Sequence, residues 1–137
     1  MATTVTYSND VTRIFQDVET LAAAQTLTAA DSGKTYILSA AEGKTITLPA
    51  LKSGVHFKFI IGAAFATSNW VVASAEGSNV QGVLIVNGAS VDAADEDQIN
   101  FVATAETVGD HIEINCDGTD WYVSGVGSQA GGITATT

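Results

Sequence analysis

A chain of 137 residues with 46% apolar and 15% charged side chains is long enough to bury a core within one domain and too apolar to be disordered throughout. Fifteen acidic against five basic residues give a net charge of −10, which argues against a nucleic-acid binder, for want of phosphate-neutralising side chains, and against an anionic membrane surface. A single cysteine, Cys116, excludes an intrachain disulfide and a thiolate metal cluster.

The chain opens on a threonine-rich stretch, residues 1–9, that reads as an extended arm needing a partner to order it. It has no basic residue before Arg13 and no apolar run of signal-peptide length. The longest apolar run, residues 59–66, is interrupted by Gly62 and falls far short of the ~20 residues of a bilayer span. Cytosolic synthesis and a soluble product are expected. Val11, Ile14, Val18 and Leu21 then recur at a spacing that suits either one face of a short helix or an irregular docking segment. Residues 1–26 are thus read as an N-terminal arm.

From residue 27 the pattern changes to turns that deliver short strands. Asp31-Ser32-Gly33 leads into KTYIL (34–38), and Glu42-Gly43 leads into KTITL (44–48), so one small design occurs twice in succession. Pro49 ends the second copy, because proline donates nothing to a sheet ladder. Residues 55–61 alternate cleanly, with Val55, Phe57, Phe59 and Ile61 on one face and His56 and Lys58 on the other, which predicts a central core strand. Phe65 reads as buried in the loop 62–68, and 69–73 as the next strand.

Residues 83–86 enter a tight Asn87-Gly88 turn, and 90–97, SVDAADED, read as a solvated acidic loop. Strands follow at 98–104 and at 111–116, the latter with Ile112, Ile114 and Cys116 inward. Asp117-Gly118-Thr119-Asp120 is a hairpin turn returning through 121–123. About eight short strands at regular spacing predict an all-β domain over 27–125, a compact β-sandwich or barrel. Residues 126–137, almost all Gly, Ser, Thr and Ala, read as a flexible tail.

Candidate chemistry is thin. The triplets Gly33-Lys34-Thr35 and Gly43-Lys44-Thr45 imitate the end of a phosphate-binding loop, but the glycine required five residues earlier is Thr28 in one and Leu38 in the other, and both triplets open strands. Asp92, Asp95, Glu96 and Asp97 offer oxygens to a calcium ion, yet their spacing matches no EF-hand and a solvated run is the simpler reading. His56 and His111 lie on polar strand faces without metal-ligand spacing to a partner, and Cys116 reads as a small buried hydrophobe. Trp70, Trp121 and Tyr122 are a candidate platform for stacking on sugar, with Trp121 following a turn, although aromatics in a sandwich are mostly core or interface. No nucleophile, base and orienter form a set, so no catalytic residue, metal or cofactor is assigned.

The ordered set LTAADSGKTYIL, GKTITLPAL, the G-x-x-F-x-F run from Gly54 to Phe59, Gly109-Asp110 and DGTDWYVSG (117–125) resembles small virion proteins of tailed bacteriophages, the head decoration or cement proteins, with related modules in phage fibres. That resemblance covers about residues 27–134. It implies a jelly-roll-like or β-tulip-like domain that assembles as a homotrimer on the outer capsid surface and stabilises it. The implied partners are the major capsid protein and its own copies, with no nucleic acid and no membrane, after synthesis in the host cytoplasm. The family brings no catalytic residues; Gly33, Lys34, Tyr36, Leu48, Pro49, Gly109, Asp110, Gly118 and Trp121 match its pattern as structural positions. Contact with capsid or a neighbouring subunit is expected through Val5, Tyr7, Val11, Ile14, Phe15 and Val18. The alternative is a fibre or adhesion module binding host-surface glycan through Trp121 and Tyr122.

Overall fold

The computed structural model describes residues 3–6 and 12–137, with side chains from residue 15 onward. Two packed sheets make the body, a seven-stranded sheet and a five-stranded one, so the sandwich expected from the sequence is present with twelve strands rather than eight. A separate hairpin precedes them: β1 (Thr3–Thr6) pairs antiparallel with β2 (Thr12–Phe15), Thr3 opposite Phe15.

The first half of the body is a stack of parallel rungs. β3 (Val18–Leu21) lies in the large sheet and β4 (Gln25–Thr26) in the small one; β5 (Thr35–Leu38) and β6 (Thr45–Thr47) repeat the crossing, and β7 (His56–Ile61) and β8 (Trp70–Ala73) repeat it again. Each strand pairs in parallel with its counterpart in the next rung. The twofold design in the sequence is therefore one strand for each sheet, because the turns around Ser39 to Gly43 carry the chain from one layer to the other.

The second half is mainly antiparallel and completes both layers. β9 (Val80–Val86), β10 (Ala89–Glu96), β12 (His111–Cys116) and β13 (Trp121–Gly127) join the large sheet in the order β10-β9-β13-β12-β7-β5-β3. β11 (Gln98–Phe101) and β14 (Ile133–Thr136) extend the small one as β14-β11-β8-β6-β4. Asn87 and Gly88 both have positive φ, 51° and 78°, in the β9–β10 turn, the conformation that a tight two-residue hairpin demands.

Between the layers sit the side chains that the alternation assigned inward: Val55, Phe57, Phe59 and Ile61, then Ile112, Ile114 and Cys116, all buried. Tyr36 stacks on Phe59 with ring centres 5.6 Å apart and planes 15° from parallel, and Phe57 meets Trp121 at 6.3 Å. Fully burying a side chain of this size contributes about 1.5–3 kcal/mol. The alternation is visible in sequence because only one face of each strand earns that term.

Four expectations are corrected. The spacing of Val11, Ile14, Val18 and Leu21 does not make a helix: residues 12–15 and 18–21 are strands, and Val18 and Leu21 point to opposite faces of β3, exposed and buried respectively. The link between those strands is held extended, with the Gln16 Nε2 donating to the Gly33 carbonyl at 3.0 Å and the Thr35 N–H donating to the Asp17 carbonyl at 2.9 Å. The body therefore begins near residue 17 and not at 27.

The acidic segment is not a loop. It is β10, an edge strand with Asp92 opposite Val83, whose solvent side accommodates the carboxylates and whose register shifts between Ala93 and Glu96. Residues 126–137 are not a loose tail either, since β13 continues to Gly127 and β14 pairs with β11. Buried Asp110 accounts for part of this order: its Oδ1 accepts from the Ser128 N–H and hydroxyl at 3.0 and 2.9 Å, and its Oδ2 accepts from the Thr107 N–H at 2.9 Å. Fully buried Ile133 and the bonds from Asn100 Nδ2 to the hydroxyls of Thr134 and Thr136, 3.3 and 3.0 Å, secure the rest. Those threonines also explain why Asn100 is buried although its parity in the strand reads as outward.

Candidate interaction surfaces

The outer face of the large sheet is ordered in transverse rows by strand register. Ile37, Ile60, His111, Val126 and Ile85 form one row across β5, β7, β12, β13 and β9. Lys58, Glu113, Ser124, Val83 and Asp92 form the next, with Lys58 Nζ 3.5 Å from the Glu113 carboxylate. His56, Asn115, Tyr122 and Gln81 form the third. Near its β9–β13 end this face leaves Val83, Ile85, Tyr122 and Val126 each about half exposed, at 45–49%. A shallow groove of about 300 Å³ runs between Val83, Ile85, His111, Glu113 and Val126.

Four exposed apolar side chains on two adjacent strands form a contiguous patch on a strongly acidic protein. A patch of that kind marks a contact surface more often than a scattered residue does. Sequence reasoning missed it because Val83 and Ile85 lie in a continuous apolar run, VLIV, where periodicity cannot tell the outer face from the inner.

The stacking platform does not form. Trp70 is fully buried, Trp121 is fully buried against Phe57, and of the three Tyr122 alone faces outward. Asp117 accepts from the backbone N–H groups of Asp120 and Thr119, which holds its carboxyl below the usual range, and the resulting carboxylate raises the Tyr122 phenol above its ordinary value. The geometry leaves one aromatic ring beside the hairpin turn, too few for the stacking platform the sequence offered.

Of the proposed capsid or subunit contacts, Phe15 and Val18 are exposed, at 49% and 57%, and flank the two-residue link into the body. Val5 and Ile14 lie on β1 and β2, and Tyr7 and Val11 fall outside the described residues.

The two lysine triplets both serve structure. Lys34 Nζ lies 3.0 Å from Glu19 and 3.2 Å from Asp31, and hydrogen bonds to those two carboxylates raise its affinity for a proton. Asp31 Oδ2 accepts from the N–H and hydroxyl of Thr28 at 2.9 and 3.0 Å, capping the 3-10 turn Ala29–Asp31; the Thr28 N–H is the main reason its carboxyl titrates below the usual range. Burial, seconded by the Asp31 charge, pushes the Tyr36 phenol up to about 12, and its hydroxyl has no hydrogen-bond partner among the described residues. Lys44 pairs with Glu42 at 3.6 Å, its one ion pair among the described residues.

His56 Nδ1 lies 3.1 Å from the Gly54 carbonyl and His111 Nδ1 3.1 Å from the Gly109 carbonyl, each ring folded onto its own turn. No three His, Cys, Asp or Glu residues among those described gather as a metal site. The acidic run on β10 is spread along an edge, where Asp97 caps the Ser78 backbone at 2.5 Å and Asp95 binds the Gln81 amide. No family model, curated protein or solved structure matches the chain.

Proposed function

We propose that this chain is a structural virion protein that decorates the outer surface of a bacteriophage capsid and stabilises it, working as a trimer with the major capsid protein and its own copies as partners. The observation that carries the proposal is the apolar patch of Val83, Ile85, Tyr122 and Val126 on a two-layer body in a chain whose formal charge is −10. Three such chains together carry 3 × (−10) = −30, so association has to use surface with little charge. The patch and the exposed pair Phe15 and Val18 supply surface of that kind. The resemblance of the ordered turn and strand motifs to those of decoration proteins supports the same reading.

A glycan-binding fibre module loses its main support with the burial of Trp121. The test is addition of purified protein to capsids that lack it, followed by imaging of particles with and without it. Regular density on the outer surface, lost when Val83 and Val126 are both changed to Asp, is the expected result. Absence of density at saturating protein, with the wild-type chain folded, overturns the proposal.

A further inference from the structure

The two sheets end in four edge strands, β10 and β3 in the large sheet and β14 and β4 in the small one. Three of them are poor templates for another strand. β10 carries Asp92, Asp95 and Glu96 and a register shift, the means by which native edges resist pairing. β14 lies against β10, and β4 has only two residues. β3 differs: it is regular over four residues, and its one charged side chain, Glu19, is neutralised by Lys34 at 3.0 Å.

Its backbone is also open on one side. The carbonyls of Asp17 and Leu21 accept from the N–H groups of Thr35 and Ser39, at 2.9 and 2.8 Å. Alternate residues of a strand face one neighbour, so Val18 and Thr20 turn their N–H and C=O groups away from β5 toward the open side. The exposed Val18 side chain stands beside them.

On the same chain lies a hairpin with the opposite deficiency. Among the described residues β1 and β2 pair only with each other, and an isolated two-stranded hairpin is at best marginally stable in water. Each strand has four residues, the length of β3. The hairpin strands contain one charged residue, Arg13, and no acid, so no carboxylate enters the contact from that side of a chain whose net charge is −10. Only residues 16 and 17 separate β2 from β3, and their bonds to Gly33 and Thr35 hold them against the β5 side rather than in the turn that a return onto the same β3 requires.

We propose that the β1–β2 hairpin of one copy adds to the open edge of β3 in the next, extending the large sheet from subunit to subunit. The contact is head-to-tail, so it closes into a ring or continues as a fibre according to the rotation between copies. This deepens the self-association named above by giving it a surface, and it requires no capsid; the test uses pure protein, so its failure is separable from failure to bind particles.

The test compares molar mass in solution for the wild type, a chain lacking residues 1–15, and the full-length variant Val18→Pro, with emission of the buried Trp70 and Trp121 reporting the fold. Proline at the first residue of an edge strand removes a donor that makes no bond within the body. The expected result is a multimer for the wild type and monomers for both variants with unchanged emission. Mixing the two variants then gives a one-to-one pair and nothing larger, since one retains only the edge and the other only the hairpin. A monomeric wild type overturns the proposal, as does a multimer that survives Val18→Pro or a mixture that does not pair. If the truncated chain fails to fold, the mass of Val18→Pro decides alone.

Discussion

Two stretches with the same letters, Gly33-Lys34-Thr35 and Gly43-Lys44-Thr45, occupy different physical situations, one entering the large sheet and the other the small. Gly33 has φ of +90° and the nearest atom to an added Cβ is His56 Nε2 at 3.8 Å, so what the position requires is a backbone conformation. Gly43 has no positive φ, but an added Cβ would lie 2.1 Å from the Asn69 carbonyl carbon and 2.4 Å from the Ser68 oxygen, so what it requires is room. The lysines diverge likewise: Lys34 is held between two carboxylates and Lys44 pairs with one at longer range. A sequence repeat here reflects a common way of starting a strand, with the environment deciding what each residue then does.

The sharpest break in that comparison is Gly43→Ala. Backbone, not a flexible side chain, must move, and the expected cost is about 3 kcal/mol, the upper end of ordinary overpacking, read from the midpoint of chemical denaturation. Gly33→Ala makes only an ordinary contact with His56 and costs the left-handed conformation, about 1–2 kcal/mol, with Gly33→Asn milder than Ala. Equal losses at the two glycines would show that the distinction between conformation and room is wrong.

Smaller again is Lys34→Ala, which should lower the denaturation midpoint measurably while Lys44→Ala leaves it close to wild type. The two lysines should also differ in alkali. Lys34 binds its proton more tightly folded than unfolded, so its contribution is complete below its ordinary value of 10.5 and fades as pH rises through the higher folded value. Tyr36 acts with the same sign, because its phenol stays neutral to about 12 when folded but ionises near 10 when unfolded. Thermal stability should therefore fall above about pH 10. Tyr36→Phe, which removes a buried hydroxyl lacking a protein partner, should change stability least at neutral pH and flatten that alkaline decline. A decline unaltered by both Lys34→Ala and Tyr36→Phe would remove these two groups as its source.

The layers, the central strand at His56–Ile61, the inward set Ile112, Ile114 and Cys116 and the Asn87-Gly88 turn were legible because burial on one face imposes period two and tight turns impose positive φ. β10 and β14 were not. Edge strands carry polar and small residues on their open sides, so SVDAADED and ITAT look like loop and tail. The order of β14 depends on a distant partner, Asn100 for Thr134, which no local window contains, whereas β10 pairs across the nearby Asn87-Gly88 turn and was hidden by its acidic composition alone. The exposed patch was equally hidden, since Val83 and Ile85 have the composition of core and differ from Leu84 and Val86 only in which way they face.

The passage of the chain from one layer to the other at every rung has a kinetic consequence. β3, β5 and β7 are neighbours in space, yet each connection between them first contributes a strand to the opposite sheet. Neither sheet can accumulate in advance of the other, and loop closure must be met twice before the first complete rung gains from burial. Refolding should accordingly proceed as one cooperative phase on the slow, millisecond-to-second scale of proteins rich in non-local pairing. Chains ending within β5 to β8 should remain unfolded during synthesis, gaining structure only once the later strands β9 to β14 have emerged to complete both layers.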